Sequence, residues 1–126
     1  MEAATTIDAG GERGWAAVAM FYVARDLAHA VFGCDPELRD EMRHPISHTD
    51  PDLTKPGTNT VIKRHYRVVE EEYLALFGVS LGVRYEGQHV NEALLNDCRR
   101  DLEGIMRWAA FQLRHASRDV PDWLTT

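Results

Sequence analysis

The chain has 126 residues, 44% of them hydrophobic and 27% charged, with a formal net charge of −6. That is one domain's worth of sequence, with enough apolar material for a core and charge too mixed in sign for a disordered segment. The negative balance argues against a protein that coats nucleic acid by bulk electrostatics, because phosphate contacts supply most non-specific affinity.

In chain order, residues 1–12 read as a flexible arm, small and polar with the pair Gly10-Gly11. From Trp15 to Phe32 the pattern is helical but apolar nearly all round, interrupted only by Arg25, Asp26 and His29. Such a helix must be covered on most sides, by the rest of a bundle or by a second subunit. Its run GWAAVAMFYVA is shorter than the roughly 20 residues that span a bilayer, and no basic segment or small-residue cleavage site marks it as a secretion signal. "DPEL" at 35–38 has the form of an N-cap, with Asp35 as cap and Pro36 in the first turn, opening a short helix that ends before Pro45.

Residues 44–60, HPISHTDPDLTKPGTNT, then form an irregular loop of the kind that carries functional groups. Ile62, Tyr66, Val69, Tyr73, Leu76 and Phe77 recur at helical spacing and predict one helix from Asn59 or Thr60 to about Val83. The last helix is expected over Asn91 to His115, on a stripe of Leu94, Leu95, Cys98, Leu102, Ile105, Met106, Ala109 and Leu113. The expected architecture is an all-α antiparallel up-and-down bundle: three long helices, one short helix and a long loop, in one domain over residues 13–117 with a C-terminal tail at 118–126. The cysteines, Cys34 and Cys98, offer no disulfide framework and read as reduced and half-buried in a cytoplasmic protein.

Three arginines are followed by a histidine five residues on: Arg39 and His44, Arg43 and His48, Arg84 and His89. In a chain with twelve arginines and six histidines, roughly two Arg–His pairs at offsets of this size arise by chance, so context must separate them. Arg43 and His48 occupy the irregular loop, where side chains can converge. Arg84 and His89 lie on the connection into the last helix, near N–H groups that can hold a phosphate. An imidazole can take a proton from a ribose 2′-hydroxyl near neutral pH while a guanidinium grips the phosphate oxygens, so such a pair can cleave RNA without a metal. The bland alternative is surface ion pairing and solvated imidazoles.

Lys63, Arg64, His65 and Arg67 lie in the first turns of the expected second long helix, ahead of Glu70, Glu71 and Glu72, an order that opposes the helix dipole. They form either a solvated face or a basic track that guides an RNA backbone. His44, His48, Asp50 and Asp52 invite a metal reading, but Pro45 separates the two histidines from a common helical face, and no metal site is expected. There is no Gly-rich phosphate loop, nucleophilic elbow or Cys-x-x-Cys, and no cofactor is expected.

The order WAAVAMFYVARDLAHAVF, HPISHTD, a helix ending in RYE and a long amphipathic closing helix resembles the HEPN (higher eukaryotes and prokaryotes nucleotide-binding) superfamily, over about residues 14 to 115. The resemblance implies an all-α homodimer. In active members it implies a metal-independent endoribonuclease with its Arg–His motif across the dimer interface, often acting as a toxin or in phage defence. It implies that Arg84 and His89, near the start of the closing helix, are the better-placed pair, with Arg43 and His48 lining the same cleft or replacing it. Two readings stand: an RNase, or a non-catalytic dimeric module that binds a nucleotide, RNA or a partner protein such as a cognate antitoxin.

Overall fold

The computed structural model describes residues 2–50 and 56–116, with side chains from residue 11 onward. Most of the described residues are helical and no strand occurs among them, so the fold is all-α. In chain order the helices are α1 (Glu2–Cys34), α2 (Asp40–Arg43), α3 (Thr58–His65), a 3-10 turn over Arg67–Val69, α4 (Glu70–Tyr85) and α5 (Glu92–Ala116). The tail expected at 118–126 lies outside the described residues.

Three long helices pack on one another around a single core. One flank of α1 buries Ala17, Phe21, Ala24, Ala28, Val31 and Phe32 at helical spacing. Gly14 of α1 meets Val83 of α4, and Phe21 meets Tyr73 and Phe77 at ring-centroid distances of 5.7 Å, so α1 and α4 run antiparallel. Val79 lies beside Leu94, and Glu72 lies 3.8 Å from where a Cβ on Gly104 would stand, which makes α5 antiparallel to α4. Between Gly11 and Cys34, α1 is long and apolar enough to cross a membrane by length and composition alone. Its buried flank is part of the core of this bundle, while Trp15, Ala19, Val23 and Ala30 stay exposed.

Several boundaries differ from expectation, each for a local reason. Residues 2–12, expected as an arm, continue α1; Ala3, Ala4 and Glu12 favour helix, and Gly10-Gly11, at about 1 kcal/mol each, weakens it without ending it. Asp35 does not open a helix. Its carboxylate accepts the N–H of Glu37 at 2.9 Å in a tight turn, and α2 starts only at Asp40. Cys34 is exposed rather than half-buried, while Cys98 is buried, its thiol pKa pushed up by burial and then by Asp101 and Asp97. Asn91, where the last helix is expected to begin, caps it, accepting the N–H of Leu94 at 2.8 Å.

The largest correction falls at Tyr66, where the single helix expected over 59–83 breaks in two. Tyr66 takes φ −134° and ψ 52°, outside the helical region. Its ring stacks on Phe32 at 5.3 Å and meets Trp108 edge-on at 5.3 Å, and its hydroxyl donates to the Asp35 carboxylate. The break also reverses the meaning of the charge order. Lys63, Arg64 and His65 now sit in the last turn of α3, and Glu70, Glu71 and Glu72 in the first turn of α4, both favourable to the helix dipoles.

A candidate anion site between the first and fourth helices

The loop after α2 is positioned by α3. The N–H groups at the start of α3 have no intrahelical partner, and the loop supplies them. Thr58 N–H donates to the Ser47 carbonyl and Asn59 N–H to the His48 carbonyl, each at 2.9 Å. The Asp50 carboxylate accepts the Gly57 N–H at 2.8 Å and the Thr60 hydroxyl at 2.6 Å, which holds it below the usual carboxylate range. This clamp fixes the backbone of His48, whose ring packs against Phe21 at 5.2 Å and Phe77 at 5.6 Å, on the seam of α1 and α4.

Arg84 reaches the same seam from the end of α4. Its Nη1 donates to the Tyr22 hydroxyl at 2.9 Å and its Nε to the Ser80 carbonyl at 3.4 Å. The guanidinium carbon lies 5.5 Å from the Tyr22 ring centroid and 5.0 Å from that of Tyr85, stacking distances for a cation on an aromatic face. Arg25, one turn along α1, covers the other part of the Tyr22 ring at 4.6 Å. The carboxylate paired with this group is Asp26, 3.2 Å from Arg25.

The polar atoms here are under-used. Arg25 Nε, His48 Nδ1 and Arg84 Nη2 are buried with no hydrogen-bond partner, as are the Tyr73 hydroxyl, Ser80 Oγ and Asn59 Oδ1. Buried polar atoms are normally paired, and an orphan costs about 1–3 kcal/mol, which makes this seam the candidate site. His48 titrates below the ordinary histidine value because of burial first, then the charges of Arg84 and Arg25. Tyr73 is pushed the other way by burial, so its hydroxyl stays a donor. His29 also titrates low, through burial and then Arg25, and is committed to Thr58 Oγ1 at 2.8 Å.

The site therefore takes one member from each of the two better-placed Arg–His pairs. His48 and Arg84, 36 positions apart in the chain, share the seam closely enough for the Arg84 charge to lower the His48 pKa. Arg43 instead closes its own turn, bonded to the Leu38 and Pro36 carbonyls and 3.5 Å from Asp40. His89 is exposed in a separate depression beside Trp15 and Val83, and no hydrogen bond joins it to Arg84 among the described residues. Lys63, Arg64, His65 and Arg67 are exposed on the α3 side, where Arg67 lies 3.9 Å from Glu70. No group of three His, Cys, Asp or Glu residues suited to a metal exists among the described residues, and Asp52 lies outside them. Sequence reading missed Tyr22 and Arg25 as site residues. The available signal was the polar interruption of an otherwise apolar helix at Arg25 and His29.

Acidic charge gathers on another face. Glu71, Glu72, Asp97 and Asp101 line a groove between α4 and α5, where burial and then Glu72 raise the pKa of Asp101. The net negative charge thus leaves the α1–α4 seam basic. No protein-family model, curated protein or solved structure matches the chain.

Proposed function

We propose that the chain is a HEPN-like metal-independent endoribonuclease whose phosphate site is built from Arg84, Arg25 and His48. The observation that carries this reading is the convergence of two guanidiniums and an imidazole on one half-buried seam, each with a buried nitrogen that no protein group satisfies. Arginine forks suit the non-bridging oxygens of a phosphodiester, and their attraction grows as charge develops there. A histidine with lowered pKa is neutral at pH 7 and free to act as base.

In this mechanism His48 takes the proton from a ribose 2′-hydroxyl, and the 2′-oxygen attacks phosphorus. The bond from phosphorus to the 5′-oxygen breaks, and that oxygen receives a proton from the imidazole of a second copy of the chain. The products are a 2′,3′-cyclic phosphate and a 5′-hydroxyl. The second copy is seated on the outer row of α1, where Ala19, Val23 and Ala30 face away from the core. The up-and-down bundle implied by the HEPN resemblance, and a setting as toxin or phage-defence factor, belong to this proposal.

One observation favours the alternative, a non-catalytic module that holds a nucleotide or RNA phosphate or an acidic partner such as an antitoxin. His29 is engaged by Thr58, leaving one available imidazole per chain in the cluster. The test is to incubate the pure protein with single-stranded and structured RNA in excess chelator and look for 2′,3′-cyclic phosphate ends. The expected result is cleavage by wild type, lost in His48→Ala and Arg84→Ala and kept in Arg99→Ala on the exposed side of α5. No cleavage by wild type, with RNA binding that Arg84→Ala abolishes, selects the binding module instead.

A further inference from the structure

Beside the phosphate site lies a depression of about 290 Å³ lined by Gly11, Gly14, Trp15, Val83, Gly87, Gln88 and His89, to which nothing above gives a role. Its shape follows from the backbone. A Cβ on Gly14 would stand 3.1 Å from the Val83 side chain, so the glycine sets how closely α1 and α4 approach at this end. Gly87, at φ +66°, turns the chain after α4, and Gln88 N–H returns to the Gly82 carbonyl at 2.9 Å, which brings His89 opposite Trp15.

Trp15 is 65% exposed and Tyr85 71%, whereas Trp108 is buried and Phe111 covers its ring with His115 at 4.0 Å. Trp15 has no ring partner among the described residues. Trp15 and Tyr22 are seven residues apart on α1, two turns or about 10.5 Å along one side of the helix. Tyr85 carries Arg84 on its face. An open indole and imidazole, two turns of α1 from Tyr22 and beside Val83, which precedes Arg84, form a stacking surface that a base attached to the held phosphate can cover.

We propose that Trp15 and His89 receive an unpaired nucleobase, so that the ligand of the anion site is single-stranded RNA. The inference rests on the phosphate reading above and adds its substrate class. Aromatic side chains stack on splayed bases without regard to sequence, and a base inside a duplex cannot enter such a depression. An apolar side chain of a protein partner could fill the same space, but the basic seam that adjoins it calls for a ligand carrying phosphate as well.

The test measures binding of an end-labelled single-stranded RNA oligonucleotide, the same sequence annealed to its complement, and inorganic phosphate. Trp15→Ala is expected to weaken the single strand about tenfold and leave inorganic phosphate unaffected, with Trp15→Phe restoring most of the loss. Arg84→Ala is expected to weaken both ligands. Equal affinity for single strand and duplex, or an unchanged single-strand affinity in Trp15→Ala, overturns the base site while leaving the phosphate reading intact. Failure of Arg84→Ala to affect either ligand overturns the phosphate reading itself. Conversion of an oligomer to a monomer by Trp15→Ala shows a second copy on this surface and also overturns the base site. Because Trp15 is largely exposed, its replacement leaves the fold in place.

Discussion

The Arg84 guanidinium donates to the Tyr22 hydroxyl at 2.9 Å, tying the last turn of α4 to the middle of α1. The bond holds a cation in a half-buried seam without neutralising it, since a phenol accepts the hydrogen bond and brings no charge. Arg84 thereby keeps its attraction for an anion while losing much of its freedom to swing into solvent.

Tyr22→Phe removes that acceptor and keeps the ring beneath both arginines. Stability should fall by about 1 kcal/mol in urea unfolding, and RNA affinity should fall while the arginines remain in place. Unchanged affinity would mean that the hydroxyl does not orient Arg84.

Gly57→Ala tests the clamp that positions His48. An added Cβ would stand 2.4 Å from the backbone carbonyl of Thr49, which cannot yield without moving the loop. The expected cost is about 1–3 kcal/mol, with His48 displaced and cleavage lost beyond what the stability change explains.

Acid should weaken the fold through His48 and His29, both of which titrate below the ordinary histidine value of 6.5. Protonation of such a group favours the unfolded chain. The stability they contribute is therefore complete above about pH 6.5 and is lost as pH falls through their lower folded values. Urea midpoints between pH 7 and pH 5 should decline, and His48→Gln should flatten part of the decline. If His48 is the base and the second copy's imidazole the acid, one must be neutral and the other protonated, so the cleavage rate should pass through a maximum below pH 6.5 and fall on either side.

Tyr66→Phe removes the phenol that donates to Asp35 across the core. Because the acceptor is a carboxylate, the loss should be about 1.5–3 kcal/mol, read as a lower thermal midpoint. A smaller loss in an Asp35→Asn background would identify the pair as its source.

Val23→Glu places a charge on the outer row of α1. Light scattering should find the wild type dimeric and this variant monomeric, with little change in monomer stability because Val23 is not in the core. A monomeric wild type at micromolar concentration would remove the shared-groove form of the mechanism.

The helices were legible where periodicity and capping agree. The last helix, expected from Asn91, begins there in the structure, whereas α1, apolar nearly all round in sequence, buries one flank from Ala17 to Phe32. Tyr66 was not legible, because apolar positions keep helical spacing straight through it; only the inverted charges on either side, Lys63 to His65 and Glu70 to Glu72, hinted at two helices. Of the candidate site, His48 and Arg84 each stood out in the sequence through pairs at a fixed offset, but their common place on the α1–α4 seam did not, since a search for an arginine five residues before a histidine cannot see side chains brought near one another through α1.

The break at Tyr66 also fixes a rotational phase. Tyr66 is pinned at one end of the segment and Arg84 engages at the other, so the eighteen steps between them decide which way the guanidinium points. Each helical residue turns the chain by about 100°. A single-residue insertion or deletion within α4 would swing Arg84 off Tyr22 although no site residue had changed, and restoring the count elsewhere in the same helix would swing it back.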